Sequence, residues 1–117
     1  MNLTLEERLE LGHRAISCKN WKWLPGMRWI DAEQGSRNGR VGEDEVALPY
    51  DAIPDLGDPV TVGGLLHLVR MKSGKKDLFA YHLGENIWRV GNFQSWLTLI
   101  LKQSNEAEAL LISLESF

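Results

Sequence analysis

Three of the chain's five tryptophans, Trp21, Trp23 and Trp29, fall within residues 19–29, Lys-Asn-Trp-Lys-Trp-Leu-Pro-Gly-Met-Arg-Trp. Indole rings are large and stiff and bury much of their area, so any fold of this chain must give them a surface to pack on. Three surfaces qualify. The rings can wedge into the core between a first helix and a sheet, the reading the composition favours. They can stay partly exposed as a protein-docking patch with Arg28, since Trp and Arg carry much of the energy of interfaces. They can stack on bases while Lys19, Lys22 and Arg28 meet phosphates.

A length of 117 residues fits one domain, here read as residues 1–117. At that size folding buries roughly two-thirds of the surface of the open chain, enough for a self-sufficient core. With 44% hydrophobic and 25% charged residues the usage is globular rather than disordered. No apolar run approaches the ~18 residues that cross a bilayer, and the acidic N-terminus lacks a basic-then-apolar leader. The expectation is a soluble cytoplasmic protein without a membrane partner.

Punctuation along the chain sets out the elements. Thr4-Leu5-Glu6-Glu7 is a capping box, and Leu5, Leu9, Gly12 and Ile16, widened by Leu11 and Ala15, predict a helix over 4–18. Residues 27–31 read as a strand, 35–39 as a turn built on Asn38-Gly39, and 40–41 and 46–50 as returning strands around a charged tip. Residues 51–58 read as loop. Asp58-Pro59 is an N-cap followed by a proline at the first helical position. The second helix then carries a stripe of Val62, Leu65, Leu66 and Val69 to about Met71, with Gly63-Gly64 suggesting close packing on another backbone. Residues 78–83 and 87–90 predict a hairpin, with Trp88 in its second strand. Asn92 starts a predicted third helix over 93–103. Asn105 starts a terminal helix with Ala107, Leu110, Leu111 and Leu114 inside; the alternative is one helix over 93–116. The sum is an α+β fold, a single compact domain of three or four helices packed on a small antiparallel sheet.

Charge is uneven about a net of −3. Residues 13–40 hold six bases against two acids, residues 43–58 six acids and no base, and residues 70–76 four bases and no acid. Each block reads first as solvated surface. The acidic block, Glu43, Asp44 and Glu45 with Asp51, Asp55 and Asp58, also suits a mimic of nucleic acid docking in a basic groove. The two basic blocks together form the alternative, a nucleic-acid-binding face.

Catalytic and cofactor motifs are absent from the sequence: no phosphate-binding glycine loop, no Gly-x-Ser-x-Gly and no His-Glu-x-x-His. Cys18 is the single cysteine, which excludes an internal disulfide and a thiolate-rich zinc site. It reads as a small apolar residue, with His13 slightly off its helical face. His13, His67 and His82 are far apart and read as structural, and Glu43-Asp44-Glu45 reads as a solvated turn rather than a metal trio. No metal and no cofactor are expected, and an enzyme of unknown class is the least favoured reading.

Residues 9–27 (Leu-Glu-Leu-Gly-His-Arg-Ala-Ile-Ser-Cys-Lys-Asn-Trp-Lys-Trp-Leu-Pro-Gly-Met) and 53–59 (Ile-Pro-Asp-Leu-Gly-Asp-Pro), with Gly63-Gly64-Leu65-Leu66-His67-Leu68-Val69-Arg70, resemble small proteins encoded by bacteriophages and prophages. The resemblance covers about half the chain, and that family brings no established activity, so it gives no residue a catalytic role. What it implies is context. Small acidic phage proteins of this kind bind a host protein, at times a defence nuclease as anti-CRISPR proteins do, or a phage component or nucleic acid. The expected function is therefore a binding protein, monomer or homodimer, that docks on a host or phage macromolecule. The expected contact residues are Trp21, Trp23, Arg28, Trp29, Glu43, Asp44 and Glu45.

Overall fold

A computed structural model describes residues 3–42, 48–84, 87–91, 96–100 and 105–117. The class is α+β: three helices and two three-stranded antiparallel sheets among the described residues. The chain divides inside its second helix into two compact units, Met1–Gly64 and Leu65–Phe117.

The first unit opens with α1, Leu5–Ser17. Thr4 accepts from the Glu7 amide while the Glu7 carboxylate accepts from the Thr4 amide, the reciprocal box read from the sequence. The buried face is Leu11, Gly12 and Ala15, however, and Leu5 and Ile16 are exposed. All three buried residues belong to the expected stripe, whose two ends, Leu5 and Ile16, lie outside the buried face. Gly12 centres the contact, because only a residue without a β-carbon lets the helix approach β3, Ala52–Pro54, this closely. β3 is paired with β1, Arg28–Asp31, which also pairs with β2, Asn38–Arg40, giving the order β2-β1-β3.

Three expectations change here. Of the returning strand expected over 46–50, residues 48–50 are loop and turn, and 46–47 lie outside the described residues. Residues 52–54, read as loop, are a fully buried strand. A three-residue apolar run ending in proline shows no alternation, and Pro54 is tolerated in this short strand at the sheet edge. Asn38-Gly39 lies in β2 rather than in the turn. Gly39 stands directly across from Trp29, and a β-carbon there would sit 2.7 Å from the indole Nε1, so the glycine makes room for the ring. The turn itself is organised by Asp31, whose carboxylate accepts from the amides of Gln34 and Arg37, with Gly35 at φ +67°. Those two amides hold the Asp31 carboxyl below its ordinary range.

The helix α2, Pro59–Ser73, begins as its sequence predicts, with the Thr61 amide donating to Asp58. It runs two residues past Met71 and stops at Gly74, φ +72°. Its buried positions are Thr61, Leu65, Leu68 and Val69, whereas Val62 and Leu66 are only half-buried. Of the glycine pair, Gly64 packs against the Met27 side chain, and Gly63 faces open space.

In the second unit β4, Phe79–Gly84, β5, Ile87–Gly91, and β6, Trp96–Ile100, form a sheet of order β4-β5-β6. The hairpin is where it was expected, with a register shift between His82 and Gly84. The third helix expected over 93–103, and the single helix over 93–116, are both overturned, because residues 96–100 are a strand paired with β5. Trp-Leu-Thr-Leu-Ile is a short apolar run whose period fits helix and strand alike, and its aromatic and β-branched ends tip it to a strand once β5 offers an edge. Asn92 and the expected charged tip at 43–45 lie outside the described residues. The terminal helix, α3, Glu106–Glu115, is capped by Asn105 and packs on this sheet through Ala107, Leu110, Leu111 and Leu114, as read. No helix among the described residues is long and apolar enough to cross a membrane.

Candidate functional site: a tryptophan pair and an arginine–aspartate network

After α1 the backbone turns, with the Trp21 amide donating to Cys18 O at 3.0 Å, and residues 18–27 form no regular element. The apolar residue buried in this segment is Met27, 1% exposed, not an indole. Trp21 and Trp23 are half-buried and meet edge to face, centroids 5.7 Å apart at 87°. The Trp21 Nε1–H is buried with no hydrogen-bond partner among the described residues. Lys19 and Lys22 beside the pair are exposed. Trp29, also half-buried, belongs to β1 and lies against Gly39. The three indoles thus separate into a pair following α1 and a single ring on the sheet.

Arg28 belongs to a different constellation. Arg8, on the buried side of α1, donates from Nε and Nη2 to the two oxygens of Asp55, both at 2.8 Å. Gly57 permits this by leaving room for the arginine stem, 3.0 Å from where its β-carbon would stand, and its amide donates to Asp55 as well. Arg40, on β2, makes the same fork to Asp58 at 2.8 Å and donates to Gly26 O. Asp58 also accepts from the Thr61 amide and hydroxyl, and that hydroxyl accepts from the Arg28 amide at 2.8 Å. The Arg28 guanidinium faces Asp55 with Nε at 3.3 Å. Planar forks on buried carboxylates are strong and directional contacts, and they join α1, β1, β2 and the start of α2.

Asp58 titrates at about 2, pulled down first by the Arg40 fork and then by the Thr61 donors against the opposing effect of burial. A carboxylate whose pKa falls on folding adds stability that is complete above its unfolded value of 3.8 and lost as pH drops toward 2. Acid titration of folding should therefore show a falling limb between those values, and Asp58→Asn, which retains a capping side chain, should flatten it. An unaltered limb would show that Asp58 does not contribute to it.

The network also assigns the acids. Asp55 and Asp58 are buried and paired, and Asp51 pairs with Arg37 at 2.5 Å. They are spoken for inside the chain, which leaves the mimic reading only Glu43, Asp44 and Glu45, outside the described residues. No sequence motif announced the network. The signals present were a charge, Arg8, one turn from Leu11 and Gly12 on the inner face of an otherwise amphipathic helix, and the Asp-x-x-Asp spacing before Pro59.

Of the histidines, His13 lies 3.3 Å from Ala32 O, His67 is exposed, and His82 is exposed and stacked on Trp88 at 4.7 Å. Among the described residues no three His, Cys, Asp or Glu side chains converge on a metal position. Comparison with protein-family models, curated protein sequences and solved structures returned no match.

Proposed function

We propose that this chain is a binding protein that docks on a protein partner through the face carrying Trp21 and Trp23. The observation behind this reading is that two rigid indoles sit half-buried on irregular backbone, flanked by exposed Lys19 and Lys22, while Met27 takes the buried place. Paired aromatics within a polar rim are the composition in which interface energy concentrates. The phage resemblance adds the partner class: a host protein in a bacterial cytoplasm, such as a component of a defence complex.

The test is capture from host lysate on the immobilised chain, then calorimetric titration of the purified captured protein against wild type and Trp23→Ala. Removing one hot-spot indole should weaken binding at least about tenfold. Equal affinity for the two proteins would overturn the reading. Nucleic acid in place of protein on the column would transfer the segment to base stacking, with an affinity falling steeply as salt rises.

A further inference from the structure

The geometry points to a phosphate-binding site at Arg28 and Arg40, independent of what the tryptophan pair docks on. The two residues are direct cross-strand partners in the β1–β2 ladder, so their side chains leave the same face of the sheet. Like charges in that relation repel unless something neutralises them. Asp58 neutralises Arg40 with both oxygens. Asp55 does not do the same for Arg28, because both of its oxygens already accept from Arg8 at 2.8 Å and one also accepts from the Gly57 amide. Arg28 is left with one approach, its buried Nε at 3.3 Å from Asp55, and that contact is an ion pair without a hydrogen bond.

Among the described residues the cluster therefore holds three guanidinium groups, Arg8, Arg28 and Arg40, against two carboxylates, Asp55 and Asp58. Among the described residues one positive charge is in excess, and the pair is reachable: the Arg28 side chain is 35% exposed and that of Arg40 48%. A tetrahedral oxyanion fits better than a carboxylate. Two guanidinium groups on neighbouring strands offer donors from two directions, and a phosphate has oxygens enough to accept from both, whereas a carboxylate satisfies one fork in one plane. Arg28 makes the bidentate contact. Arg40, anchored by Asp58 and Gly26, supplies its remaining N–H groups and holds its strand in register. The phosphate belongs either to a small phosphate ester or to a nucleic-acid backbone.

The experiment follows the guanidinium Nε–H resonances of Arg28 and Arg40 in the folded wild-type chain during titration with inorganic phosphate. Potassium acetate and potassium chloride at matched ionic strength run in parallel. The expected result is a saturable shift of the Arg28 resonance below about 10 mM phosphate, where general salting effects are small. Arg28→Gln should weaken phosphate binding, read from the Arg40 resonance, at least about tenfold. A nucleoside monophosphate and a single-stranded oligonucleotide form the further arms. Tighter binding of the first assigns a small ester, tighter binding of the second a nucleic-acid backbone. The proposal is overturned if phosphate moves Arg28 no more than chloride does, if acetate matches phosphate, or if Arg28→Gln responds as wild type. It is equally overturned if phosphate binds only after Glu43, Asp44 and Glu45 are neutralised, since the chain then supplies its own counter-charge.

Discussion

Gly12→Ala is expected to lower the stability of the first unit by about 3 kcal/mol, the upper part of the range for overpacking a tight site. The added methyl would lie 2.7 Å from the Pro54 carbonyl oxygen and 2.7 Å from Ile53 Cδ1. The isoleucine can rotate away. The carbonyl is part of β3, whose neighbour β1 fixes it through the Trp29–Pro54 and Ile30–Ile53 pairs, so relief requires α1 to move off the sheet. In a chain of 117 residues such a loss corresponds to a fall in midpoint of roughly 10 °C. Gly63→Ala supplies the control. It sits in α2 with nothing within 4 Å of a β-carbon, and should gain up to about 1 kcal/mol from helix propensity alone. Thermal and denaturant unfolding of the two variants decides the matter. Equal effects of the two substitutions would mean that the α1–β3 contact is looser than its geometry.

Removing the Asp55 carboxylate should be nearly as damaging. Asp55 is 3% exposed and is the anion that holds Arg8 on α1 and faces Arg28 on β1. Asp55→Ala leaves two guanidinium groups without it and the Gly57 amide without its acceptor. Breaking one side of a fully buried pair costs about 3–5 kcal/mol, and the partial exposure of both arginines brings the expected loss here to about 2–3 kcal/mol. Arg8→Met in the same background should cost less than it does alone, because part of the single-variant penalty is the stranded charge. Additive losses, or an Asp55→Ala loss below about 0.5 kcal/mol, would reduce the network to a surface ion pair.

These two sites show how unevenly the chain could be read. The capping box at Thr4, the Asp58-Pro59 start and the Asn105 cap were each legible, because a cap is a local device whose donor and acceptor lie three residues apart. The β4–β5 hairpin was legible for the same reason, its paired strands being only two residues apart in sequence. Strands β3 and β6 were missed, since neither carries a pattern of its own. Each becomes a strand only because a partner strand, β1 or β5, presents an unpaired edge. The face that α1 buries was legible, since Leu11, Gly12 and Ala15 all lay on the expected stripe. Its ends at Leu5 and Ile16 are exposed, because the contact with β3 is closest where the side chain is smallest.

The candidate site divides along the same line. That residues 19–29 were unusual followed from composition and spacing; that Trp21 and Trp23 form a pair apart from Trp29 did not. That Trp29 belongs with Gly39 and Arg28 with Asp55 did not, since those pairings join positions ten and twenty-seven residues apart. By itself the sequence determined the caps of α1, α2 and α3, that the class is α+β, and that no catalytic motif is spelled out. Only the tertiary structure decided which acids are neutralised internally, which glycine is a contact and which an open position, and that three arginines share two carboxylates. The physical reason is range: hydrogen bonds within a turn are set by neighbouring residues, whereas charge balance and close approach depend on which distant segments the sheet brings side by side.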